Sequence, residues 1–184
     1  MSFRAGGDWA NVLGAAKDAL SDYKPYVTIQ FGHNDQKPEK NISMAQLTAN
    51  LVAFVNEVRA VPATPILVTS LSRRRFNTAT RLVTENLADV TAAAKEAANQ
   101  SGADIIDLNA ASTKYLNAIG PDNAATYNLN PTDFTHLNSV GSVVFGNLVA
   151  MLINDELPEL DKWVKPQKKI EKALKKGRYI FPEL

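Results

Sequence analysis

The stretch Tyr26-Val27-Thr28-Ile29-Gln30-Phe31-Gly32-His33-Asn34-Asp35 decides the fold. Its first six residues are uncharged and all but Gln30 are β-branched or aromatic, and Gly32 ends the run, so it reads as a largely buried strand. A buried strand needs covering elements, and the flanking sequence supplies them. Upstream, Trp9, Val12, Leu13, Ala16 and Leu20 recur at helical spacing between Asp8 and Ser21. Downstream, a polar loop from His33 to Asn41 leads into Met44, Leu47, Leu51, Phe54, Val55 and Val58, a second amphipathic helix with Ser43 placed to cap it.

The alternation continues outward. The spacing predicts a strand at 65–70, then a helix marked by Val83, Leu87, Val90, Ala94 and Ala97, with Gly102 where a left-handed cap is wanted. A third strand at 103–108 follows, then a short helix at 110–119 ended by Gly120-Pro121. The terminal helix carries Val140, Val143, Val144, Leu148, Met151 and Leu152 and stops at Pro158. Strands separated by helices need crossover connections, which predicts an α/β fold: a three-layer sandwich around a parallel sheet. Ligands of such sheets bind beyond the carboxyl ends of the strands, where Gly32-His33-Asn34-Asp35 lies.

With 184 residues, 45% of them hydrophobic, the chain has enough apolar material for one domain, placed at 1–160, with 161–184 as a basic tail. The absence of cysteine excludes disulfides, thiolate metal sites and a cysteine nucleophile. No apolar run approaches the roughly 20 residues of a membrane helix. Net charge is +1, but Lys165 to Arg178 alone carries +6. That segment reads either as a docking surface for an anionic partner or as a solvated amphipathic tail whose Ile170 and Leu174 touch the body. The second reading is preferred. Neither a nucleic acid nor a membrane is expected as a partner.

The chain has two histidines, His33 and His136. Asp133 precedes His136 by three residues, so one turn of chain brings its carboxylate to the imidazole. Such a carboxylate fixes the tautomer and stabilises the imidazolium, leaving the other ring nitrogen to take a proton from a hydroxyl nucleophile. Asn34 carries an amide donor suited to a developing oxyanion. Each residue also has a plainer reading. Asn34-Asp35 could be turn chemistry, Asp133 a cap for the terminal helix, and His136 a half-buried histidine. The two histidines with Asp35 and Asp133 lack a helical ligand pair, so no metal is assigned. Arg73-Arg74-Arg75 stands just past the second strand and suits an acidic saccharide, or is a solvated loop.

The order of strand, Gly32-His33-Asn34-Asp35, helix-linked units, Asp133-Phe134-Thr135-His136 and terminal helix resembles the SGNH (GDSL-type) hydrolases, most of all the rhamnogalacturonan acetylesterase branch. The resemblance implies a flavodoxin-like fold, Asn34 in the oxyanion hole, His136 as general base and Asp133 as its orienting acid, with Arg73, Arg74 and Arg75 as substrate contacts. It also implies a serine-type hydrolase of acetyl esters on cell-wall polysaccharide, extracellular and without a cofactor. The family's first strand, ending in Gly-Asp-Ser with the nucleophile, has no counterpart here. Gly7-Asp8-Trp9 puts tryptophan where the serine belongs, and Ser2 lacks the strand-to-helix turn that would hold a nucleophile. Alternative expectations are therefore a pseudoenzyme that binds carbohydrate or protein, or an ordinary α/β binding domain. With the first strand missing, the edge of the Tyr26 strand is expected to pair with a second copy of the chain, to be covered by another segment, or to leave the fold poorly stable.

Overall fold

The computed structural model describes residues 2–183, without the side chain of Ser2. The chain forms two compact units. One comprises the residues up to Thr69 with Asp89–Ile105, and the other Ser70–Ala88 with Ile106 onward.

The first unit contains α1 (Ser2–Ala5), α2 (Asp8–Asp18), β1 (Tyr26–Ile29), α3 (Met44–Ala60), β2 (Thr64–Val68) and α4 (Ala88–Ser101), with β3 (Asp104–Ile106) ending at its boundary. The strands form one parallel sheet in the order β1-β2-β3, with β1 and β2 in register from Tyr26 opposite Thr64 to Ile29 opposite Leu67. β2 is central, and Pro65, Ile66, Leu67 and Val68 are all buried, as a strand covered on both faces requires. β1 departs from the sequence reading. Val27 and Ile29 are buried, but Thr28 between them is exposed, so only one face of this edge strand is packed.

Ser43 caps α3 by accepting the Gln46 N–H. The helix then buries Leu47, Leu51, Phe54, Val55 and Val58. Its Glu57 carboxylate accepts from Arg4 and from the Trp9 indole, tying α1 and α2 to the helix, while the Trp9 ring packs edge-on against Phe54 at 4.5 Å. α4 buries mostly alanines, which permits close approach. Gly32 shows how close: its φ is +130°, and a Cβ there would stand 2.1 Å from Val90 Cγ1. Only glycine tolerates both that backbone and that contact.

The second unit contains α5 (Leu108–Ala125), α6 (Ser139–Glu156) and α7 (Lys168–Lys175). Asp107 accepts the Ala110 N–H, and this cap turns Leu108 into helix where the sequence suggested strand. α5 breaks at Gly120, before Pro121, and then continues to Ala125. Val83 and Leu87 are buried but precede the helix expected of them, which begins at Ala88. Val83 instead pairs with Phe76 in an antiparallel bridge, and Asn117 Oδ1 accepts its N–H. In the basic segment, α7 packs on α6 and buries Ile170 and Leu174. No helix among the described residues is long and apolar enough to cross a membrane.

Candidate active site

The second unit holds Asp133 and His136. A loop from Thr126 to Asn138 leads into α6, and its ends are joined by an antiparallel bridge between Asn128 and Leu137. Asn138 caps α6, its Oδ1 accepting the Gly141 N–H at 2.8 Å, so Asp133 is not needed for that task. The Asp133 Oδ1 accepts the main-chain N–H groups of Thr135 and His136, both at 2.9 Å, and Oδ2 lies 2.8 Å from His136 Nδ1. One carboxylate therefore fixes both the turn and the ring.

The three donors stabilise the anion. The His136 main-chain N–H, then its imidazole, then the Thr135 N–H hold Asp133 down at about 2, against an ordinary value of 3.8. The His136 side chain is 72% exposed, against 22% for Asp133. The carboxylate grips Nδ1 while the rest of the ring faces outward, the arrangement a general base needs.

Asn34 lies in the first unit, beyond the carboxyl end of β1. The turn around it is closed by the main chain: the Asp35 and Gln36 N–H groups donate to the Gly32 carbonyl at 2.9 and 3.3 Å. Among the described residues the Asn34 carboxamide has no partner, so this turn does not use the side chain. Asn34 lines a cleft of about 340 Å³ with apolar walls from Phe3, Phe31, Leu47 and Phe54 and a further amide at Asn50. The Phe3 and Phe54 rings flank Phe31 at 5.4 and 5.2 Å.

The three arginines part company, and one expectation is corrected. Arg74 is 2% exposed. Its Nε donates to Asn128 Oδ1 and its Nη2 to the His136 carbonyl, both at 2.6 Å, so it is not a substrate contact. Arg75 is exposed, with its guanidinium 5.4 Å above the Phe134 ring. Arg73 is half-buried. Ser70 and Ser72, the serines nearest the end of β2, are buried, and the Ser72 N–H donates to Ser112 Oγ. The Ser2 side chain lies outside the described residues. Asn128 drew no notice in the sequence, because nothing local distinguishes an asparagine that meets a buried arginine.

Comparison with known proteins places the chain in a lineage. The chain is 32% identical over 137 residues to the rhamnogalacturonan acetylesterase RhgT of Bacillus subtilis (strain 168), covering 68% of this chain and 59% of that protein. It thus spans under two thirds of that curated relative. Among solved structures it resembles protein YxiM from Bacillus subtilis, with a TM-score of 0.68 and 24% identity over 78% of this chain and 40% of the other. It also resembles a variant of Axe2, an acetyl-xylooligosaccharide esterase from Geobacillus, with a TM-score of 0.52 and 20% identity over 84% and 70% of the two chains. Both likenesses concern the fold, that of the SGNH hydrolases. A family model matches residues 3–143, from the cleft wall at Phe3 through the acid–base pair, and the chain belongs to the GDSL-like lipase/acylhydrolase family.

Proposed function

We propose that this chain serves the hydrolysis of acetyl esters on cell-wall polysaccharide by a serine-type mechanism. His136 acts as general base, Asp133 orients it, and Asn34 donates to the oxyanion. The observation that carries the reading is the 2.8 Å contact between Asp133 Oδ2 and His136 Nδ1, with the imidazole otherwise open to solvent. No described serine is assigned as the nucleophile; the base takes the proton of the serine hydroxyl as its oxygen bonds to the acyl carbon, Asp133 stabilises the imidazolium, and the proton passes to the sugar alkoxide as the ester C–O bond breaks. Arg73 and Arg75 are proposed contacts for an acidic saccharide, Arg75 through a guanidinium already ordered by Phe134.

The burial of Ser70 and Ser72 favours a second reading, a non-catalytic module that binds acylated carbohydrate through the cleft at Asn34. Turnover of p-nitrophenyl acetate and acetate release from acetylated pectic polysaccharide separate the two. If the chain hydrolyses esters, Asn34→Ala is expected to lower kcat by about 10²–10³ with little change in KM, since the amide acts on charge that develops only in the transition state. Native protein without turnover, but with calorimetrically measurable binding to the polysaccharide, would leave only the binding module. A self-association is proposed as well: the edge of β1 pairs with a second copy. Sedimentation velocity is expected to show a dimer that dissociates on dilution, and a single monomeric species at every concentration rules this out.

A further inference from the structure

We propose that Arg74 is a positioning residue for the general base: its buried guanidinium fixes the main chain from which the His136 imidazole projects. This rests on the reading of His136 as the base.

The loop carrying the pair has little regular structure to hold it. Among the described residues its one ladder contact is the Asn128–Leu137 bridge, and the imidazole itself stands in solvent. Asp133 fixes the ring relative to the turn, but both are parts of the same turn, so their bond cannot fix the turn to the rest of the unit. Arg74 does so at three points. Its main-chain N–H donates to the Phe134 carbonyl at 2.9 Å, its Nη2 to the His136 carbonyl and its Nε to Asn128 Oδ1. The Leu129 N–H meets the same His136 carbonyl at 3.0 Å. The base is thus anchored through its own carbonyl from two directions, one a charge-assisted bond.

The choice of arginine follows from geometry. Nε and Nη2 diverge at fixed angles and reach two acceptors at once, whereas a single ammonium at the end of a lysine stem cannot hold both in that plane. Enclosing a cation in the unit is costly unless its donors are satisfied; here Nε and Nη2 meet an amide oxygen and a carbonyl rather than a carboxylate, while Nη1 is buried without a partner among the described residues. Burial pulls the Arg74 pKa down to about 10, offset in part by the nearby Asp133 charge, so the group remains a cation at neutral pH. The same charge stands near the carboxylate that orients the ring. Arg75 above Phe134 adds a second contact between this segment and the loop.

The test reads the imidazole directly as well as through activity. With only two histidines in the chain, the ring resonances of His136 can be assigned with a His33→Gln variant, and nitrogen-coupled spectra report the surroundings of its ring and main chain. Arg74→Lys keeps charge and bulk and removes the fork; Arg74→Met removes the charge as well. In folded protein of either kind, the His136 ring signals and the amide signals of Phe134 and His136 are expected to shift, while the His33 signals stay native. Where the native protein turns over ester, kcat is expected to fall about 10- to 100-fold, with KM changed by less than about threefold, the pattern of a misplaced catalytic group. A folded Arg74→Lys with native His136 signals overturns the proposal, whether or not Arg74→Met folds. Loss of the native His136 signals in the folded Arg74 variants, when the parent protein itself has no esterase activity, supports the positioning role and sinks the proposed reaction instead, so the two failures are distinguishable.

Discussion

His136→Ala is expected to reduce acetyl-ester hydrolysis by the native protein about 10⁵- to 10⁶-fold, leaving only the residual rate that binding and an oxyanion hole supply in serine hydrolases. The size of the effect follows from the steps the residue serves. It takes the hydroxyl proton and passes it to the leaving alkoxide in acylation, then takes a proton from water and returns it to the serine oxygen in deacylation, so its loss blocks both halves of the cycle. Because the side chain is mostly exposed, the variant is expected to fold with native circular dichroism and a melting temperature within a few degrees of the parent. Initial rates with p-nitrophenyl acetate, corrected for spontaneous hydrolysis, measure the loss. A folded His136→Ala protein with more than about a tenth of the parent rate would remove His136 from the mechanism and the proposed reaction with it.

The second large effect is expected at Asp133. Asp133→Asn keeps the size and shape of the side chain, and its amide oxygen can still accept from the Thr135 and His136 main chain as Oδ1 does now. What changes is the group facing Nδ1. An amide NH₂ there donates, which drives the ring proton to Nε2, the nitrogen that must accept from the nucleophile. An equivalent change in a serine protease costs about 10⁴ in kcat, and a loss of about 10³–10⁴ is expected here. Rates across pH distinguish this from general damage. A carboxyl held at about 2 is below its ordinary value, so its contribution is complete above about pH 4 and is lost only as pH falls towards 2. Any loss of native activity between pH 5 and 7 therefore belongs to another group. The Asn variant is expected to be depressed across that whole range rather than at its acid end. A loss of less than tenfold in folded Asp133→Asn would show that the contact to His136 is structural only.

Several local features were legible because a single element decides them. The three strands are where alternation of β-branched runs and amphipathic helices put them, each stopping a residue or more short of the predicted carboxyl end. The Ser43 cap, the break at Gly120-Pro121 and the buried Ile170 and Leu174 depend on neighbours within a few residues. So does the Asp133–His136 contact, since three residues of turning chain suffice to form it. The helix expected from Val83 failed for a nonlocal reason. Its main chain bridges to Phe76 on the other arm of a loop and donates to Asn117, and periodicity does not distinguish a buried loop anchor from the first turn of a helix. β1 was misjudged in the same way: a strand reads as doubly covered from its residue types, but Thr28 is exposed because β1 lies at the sheet edge.

By itself, the sequence determined the class of fold, the order of its elements and the pairing of an acid with a base, because hydrophobic spacing and short-range geometry act within one stretch of chain. Only the tertiary structure decided which of three consecutive arginines turns inward, that Asn138 rather than Asp133 caps α6, and that the Asn34 turn closes without its side chain. The physical reason is one of range. The Arg74 guanidinium is held by Asn128 and His136, more than fifty residues away in the chain, and no local propensity encodes where a buried charge will find oxygens to satisfy it.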